Sequence, residues 1–170
     1  RQGLEDWAGG QSIHSQGFKP SRIEFIHTLN HSRSGVPVVP RRLLPLSIKT
    51  RLGFDCVVVE RWVEHLLAAR PAAITLHGRT LQQMYRGAAD WSAIAEAAKL
   101  AHGTGTLMLG NGDLNTLVDA IRRAAESKVQ GVLVGRGTLG SPWFFREKEQ
   151  ARRAFSERDD LSTLPATAWE

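Results

Sequence analysis

Lys49 ends the apolar run Leu46-Ser47-Ile48 and is the first residue whose type and place ask for a chemical partner. An ammonium facing inward from such a run loses its hydration unless an anion replaces it. A flavin ring, which gathers negative charge on its N1 side when reduced, would serve; so would a carboxylate, and an outward-facing lysine needs neither. His77 closes a second apolar run and can hydrogen-bond a cofactor, although a single histidine is more often a satisfied structural residue. Two further runs end in Gly110-Asn111-Gly112-Asp113 and Gly135-Arg136-Gly137. The first precedes a helical pattern, so its backbone N–H groups can face an anion. The second offers a close-approach backbone and a guanidinium that can fork onto phosphate oxygens. Taken singly, each loop reads as a tight turn, with Asp113 merely capping the next helix. As a pair following consecutive strands, they point to phosphate binding.

The elements that must position these groups alternate along the chain. Short apolar strands are expected to start near residues 46, 73, 106 and 131. Between them lie helical patterns: one from Asp55 to about Arg70, stopped by Pro71; one from Trp91 to about Ala101, capped by Asp90; and one marked by Leu114, Leu117, Val118 and Ile121. Alternation at this spacing implies βαβ units and a parallel sheet, whose sites lie at the C-terminal strand ends. Periodicity leaves open whether the four units belong to a barrel or to a small doubly wound sheet. Upstream, residues 1–20 read as loop. Ser21 opens a helix to about Asn30 with Glu24 at capping-box spacing, and Gly35 to Pro45 reads as a proline-bearing loop. His27 and His31 stand four apart on that helix, a chelating spacing, but without a third ligand they read as solvent-facing, and no metal site is expected.

Composition bounds the partners. The 170 residues carry 22 Lys+Arg against 17 Asp+Glu, a formal net charge of +5. A basic excess suits a polyanion such as RNA and equally a solvated basic surface. The single cysteine, Cys56, excludes an internal disulfide framework and fits a reducing cytoplasm. No apolar run approaches the roughly 20 residues of a membrane span.

Four motifs in order carry a resemblance. Pro45-Leu46-Ser47-Ile48-Lys49-Thr50-Arg51-Leu52-Gly53 is similar to the K-x-R-x-G strand signature of the tRNA-dihydrouridine synthases. His77-Gly78-Arg79-Thr80, with Gln83, Tyr85, Gly87 and Ala89-Asp90-Trp91, resembles that family's HGRT…ADW stretch. Gly110 to Asp113 resembles its phosphate loop, and Gly135-Arg136-Gly137 with Gly140, Pro142 and Trp143 resembles its GRG…PW ending. The resemblance implies an α/β fold, a partial (β/α)₈ TIM barrel comprising about the last four βα units. It implies FMN as cofactor, NADPH or NADH as reductant, and tRNA as partner, with uridine reduced to 5,6-dihydrouridine. By matching position, Lys49 and His77 fall to the flavin ring, and Asn111, Gly112, Asp113, Gly135 and Arg136 to the phosphate. Arg79 falls on a rim loop that would touch tRNA.

The match also has gaps. The family's proton-donating cysteine sits in an N-x-G-C-P-like motif upstream, and no such motif occurs here. Cys56 does not occupy that position and is read as a small residue in a turn, so no catalytic residue is assigned. With no initial Met, the chain is expected to be a fragment missing the N-terminal barrel half. Its expected organisation is a loop and helix segment over 1–45, the flavin-binding barrel half over 46–145, and a truncated helical tail over 146–170. Two other readings remain: a non-catalytic RNA-binding or degenerate half-barrel, and another FMN barrel such as a dihydroorotate dehydrogenase-like protein, against which the HGRT…ADW run argues.

Overall fold

A computed structural model describes residues 1–32, 41–144 and 146. The part of the expected loop from Gly35 to Pro40, and the expected tail beyond Arg146, lie outside them. The chain divides into two compact units between Leu46 and Ser47.

The first unit corrects two expectations. Residues 1–20 are not all loop: α1 spans Gln2–Ala8 and a 3₁₀ turn spans Ile13–Gln16. Side-chain pairs four residues apart account for α1. Arg1 donates to Glu5 at 2.9 Å and Gln2 to Asp6 at 2.9 Å, while Ser12 caps the 3₁₀ turn by accepting from the His14 amide. The second helix, α2 (Pro20–Ser32), starts one residue before Ser21. Pro20 has its φ already fixed and lacks an N–H that a first turn would leave unpaired; the Arg22 and Ile23 amides donate to the Lys19 carbonyl. Ser21 therefore sits inside the helix and not at its cap. Neither helix buries a residue.

The second unit is α/β. Strands β1 (Ser47–Arg51), β2 (Ala73–His77), β3 (Leu107–Asn111) and β4 (Gly131–Leu133) pair in parallel, in the order β1-β2-β3-β4. Helices α3 (Val59–Ala68), α4 (Trp91–Ala101) and α5 (Leu117–Ser127) connect them. A doubly wound sheet reverses its strand order at a switch point. Four strands in unbroken sequence order are instead the wall of a barrel, which decides the alternative that periodicity left open.

One face of the sheet meets the helices. Ile74, Leu76 and Met108 are fully buried with Val63, Ile94 and Ala97. The apolar stripe of each helix and the alternate residues of each strand form this one core. The opposite face carries Lys49, Arg51, Thr75, His77, Leu109, Asn111 and Leu133, set two residues apart along their strands.

The helix starts differ from expectation in instructive ways. Asp90 caps α4 as expected, its carboxylate accepting from the Ala93 amide at 3.0 Å. Asp90→Ala should destabilise the chain by about 1 kcal/mol, read as a lower urea midpoint with unchanged slope. Asp55 does not cap α3, which begins four residues later at Val59; its carboxylate accepts from the adjacent Cys56 amide. Asp113 caps nothing either. Thr116 does so for α5, accepting from the Asp119 amide at 3.0 Å while its hydroxyl donates to the Asp119 carboxylate.

Candidate functional site

The final rung of the sheet forms the floor of a pocket. Arg51, His77, Asn111 and Leu133 are register partners across β1, β2, β3 and β4. All four line one cavity of about 210 Å³ at the C-terminal strand ends. Lys49, two residues back on the same face of β1, lines it too. Its walls come from the turns after β3 and β4: Gly112 to Asn115, and Gly135 to Gly137. All seven residues expected to hold a cofactor (Lys49, His77, Asn111, Gly112, Asp113, Gly135 and Arg136) meet here.

The two turns touch each other. Arg136 lies 3.6 Å from the Asp113 carboxylate. Gly137 packs so closely on the Leu114 carbonyl and the Asn115 backbone that any Cβ there would overlap them. At this position glycine is a requirement of the approach, not of a turn conformation. The Asn111 side-chain Nδ2 donates to the Leu133 carbonyl at 2.6 Å, tying β3 to β4 just below the turns.

The third wall is the loop between β2 and α4, which is built largely by its own motif residues. Thr80 and Gln83 cap each other, amide to side chain in both directions. Arg51 reaches over and donates to the Thr80 carbonyl at 2.9 Å. Arg79 turns inward and is only 3% exposed. Its Nε and Nη2 donate to the Gly87 carbonyl at 3.1 and 2.6 Å, and Nη2 also donates to both Asp113 oxygens at 2.8 and 2.7 Å. A guanidinium so enclosed presents nothing to a tRNA, and the expectation that Arg79 lies on an RNA-facing rim is corrected. The paired carboxylate, a third of it exposed, and the Gly87 carbonyl together outweigh what solvent would offer the side chain. Tyr85, on the same loop, is exposed, and the Arg136 guanidinium stands 4.8 Å over its ring.

The electrostatics favour an anion. Lys49, Arg51 and Arg136 line the pocket, and its only carboxylate among the lining residues, Asp113, is already engaged. Partial burial pushes the Asp113 carboxyl upward. The Ala89 amide at 2.7 Å, Arg79 and Arg136 outweigh that and hold it below the usual carboxylate range. His77 moves further: burial, then the charges of Arg51, Lys49 and Arg79, push its imidazole down to about 4, against a weaker opposing pull from Asp113. It is therefore neutral at pH 7. Its Nδ1 is buried and has no hydrogen-bond partner among the described residues.

Sequence reasoning did not single out Arg51, Tyr85, Leu114, Asn115 or Leu133 for the site, and named Gly137 only as part of its turn. Arg51 was findable, since a residue two positions from Lys49 on a strand shares its face. Leu133 carries no such signal. Outside the pocket, Cys56 is exposed, and its thiol is pushed up by a hydrogen bond to Asp55 and by that carboxylate's charge. This is the reverse of an activated nucleophile. His27 and His31 are exposed as expected, but His27 faces His14, with 3.4 Å between their Nε2 atoms. Among the described residues, no three metal-ligating side chains cluster, and no helix is long and apolar enough to cross a membrane.

The sequence model of the dihydrouridine synthase family matches residues 30–167. The chain is 40% identical over 109 residues to a probable tRNA-dihydrouridine synthase of Aquifex aeolicus, covering 64% of this chain and 34% of that one. It is 34% identical over 140 residues to the tRNA-dihydrouridine(47) synthase (NAD(P)(+)) of Neurospora crassa, covering 61% and 19%. A relative named as like that enzyme in Mus musculus is 36% identical over 124 residues, covering 71% and 19%. The chain thus spans about a third or less of the length of these relatives.

Proposed function

The chain belongs to the dihydrouridine synthase family, and from that premise we propose that its pocket grips the phosphate end of FMN in an enzyme that reduces uridine in tRNA to dihydrouridine. The observation that carries this reading is the meeting of the turns after β3 and β4 beside three cationic side chains. The residues present suit the group. Arg136 offers a guanidinium fork to phosphate oxygens, and the Asn111-Gly112 and Gly135 backbones border the same space. Lys49, which lines the same pocket, would supply an ammonium to the N1 side of the flavin ring. His77 supplies a neutral imidazole whose buried Nδ1 lacks a partner among the described residues. When bound and reduced by NADPH or NADH, FMN supplies the hydride for the C5–C6 bond of the uridine.

The uridine must leave its stack to reach such a pocket. The net charge of +5 favours the tRNA backbone, with an affinity that falls as salt rises. No residue of this chain is assigned the proton donor. A reducing cytoplasm suits its one exposed thiol.

A cavity of about 210 Å³ is smaller than the roughly 300–1,000 Å³ of sites that enclose a whole ligand. These residues should therefore hold the phosphate end with modest affinity. Titrating the chain with FMN and with riboflavin, followed by flavin fluorescence, tests this. FMN should bind at least about tenfold tighter than riboflavin, and Arg136→Ala should erase most of that preference. Equal binding of the two flavins would remove the phosphate assignment.

A further inference from the structure

Asp113 is an awkward neighbour for a phosphate. Its carboxylate lines the pocket and lies 3.6 Å from Arg136, the cation best placed to grip an anion. Left to itself, it would repel the ligand and occupy the guanidinium. The structure gives it closer donors than Arg136. Arg79 donates to both of its oxygens, at 2.8 and 2.7 Å, and the Ala89 amide donates to one of them at 2.7 Å. The same guanidinium holds the Gly87 carbonyl, so one buried side chain fixes the loop after β2 and the turn after β3 together.

Resting on the FMN-phosphate reading above, we propose that Arg79 is a positioning residue for the anion site, one that neutralises and turns aside Asp113 so that Arg136 and the turn are left to the phosphate. Asp113 then belongs to the scaffold of the site and is not a ligand of the phosphate. Arg79 is 3% exposed and pairs at 2.7 Å with the Asp113 carboxylate, whose side chain is 33% exposed, and without Arg79 that carboxylate loses its closest cation. With Arg79 gone, the uncompensated charge is an anion inside an anion site, and its nearest remaining cation is Arg136. The clamp acts on the charge of the pocket as well as on its shape, and charge can be tested apart from shape.

The experiment uses FMN and riboflavin as probes, which share a ring and differ in the phosphate. In Arg79→Ala the preference for FMN over riboflavin should fall about tenfold or more. Adding Asp113→Asn to it should recover most of the preference, because the offending charge is gone. Asp113→Asn alone should raise the preference. A purely structural role for Arg79 predicts something different: both flavins weaken alike and the second substitution rescues nothing. That result overturns the proposal. Should Arg79→Ala fail to fold, Asp113→Asn decides alone, since a tenfold loss of FMN preference would make Asp113 a direct ligand and overturn it. An unsubstituted chain that does not distinguish the two flavins would instead sink the phosphate reading itself, and this inference with it.

Discussion

Trp91→Ala is expected to lower folding free energy by about 4 kcal/mol, the range for deleting a large buried aromatic. Trp91 opens α4 and is 6% exposed. Its ring lies directly over Gly110 of β3, where any side chain would overlap the indole, and it packs in the core with Ile94. Its Nε1 donates to the Gly112 carbonyl at 3.1 Å. One side chain therefore joins the helix face of the sheet to the turn that walls the pocket. Trp91→Phe keeps most of the apolar volume and removes the hydrogen bond. It should cost about 1–2 kcal/mol, the penalty for a carbonyl left without its donor. Urea unfolding of the two variants separates packing from anchoring. A loss below about 1 kcal/mol for the alanine variant would show that the ring is not seated against Gly110 as described.

The parts legible in the sequence were those set by short-range rules. The four strands, the Asp90 cap and the convergence of Lys49, His77 and the two glycine-bearing turns all follow from local pattern plus the rule that parallel sheets carry sites at their C-terminal strand ends. What could not be read was the destination of long side chains. Arg79 looked like a rim residue because HGRT follows a strand, yet its partner Asp113 lies 34 positions away and in the next βα turn. Asp55 and Asp113 both looked like caps because each precedes an apolar helical pattern. Their carboxylates found closer donors, the Cys56 amide in one case and Arg79 with the Ala89 amide in the other. Residues 1–20 looked unstructured because their composition is that of loops, whereas α1 is held by specific pairs at Arg1–Glu5 and Gln2–Asp6 that composition does not register.

His77 links the charge of the pocket to the stability of the fold. Its imidazole is held at about 4 in the folded chain, against 6.5 in the unfolded one, first by burial and then by Arg51, Lys49 and Arg79. Between these values the unfolded chain binds the proton and the folded chain does not, so acid favours unfolding. The stability His77 contributes is complete above pH 6.5 and is lost as pH falls toward 4, by up to about 3 kcal/mol. The carboxyls of Asp90, Asp113 and Asp119 are held below 3.8, so their losses come at lower pH and leave this window to the histidine among the shifted groups. Urea unfolding at stepped pH should show the decline, and His77→Gln, which keeps a polar side chain but does not titrate, should remove most of it. An unchanged slope in the glutamine variant would sink the assignment. A phosphate gripped by Arg136 and the turns after β3 and β4 would add an anion to the pocket that His77 lines, oppose the repulsion on the imidazole and bring its folded value nearer to 6.5. FMN should therefore flatten the acid limb where riboflavin does not, an effect that needs the histidine and the phosphate site to share one pocket.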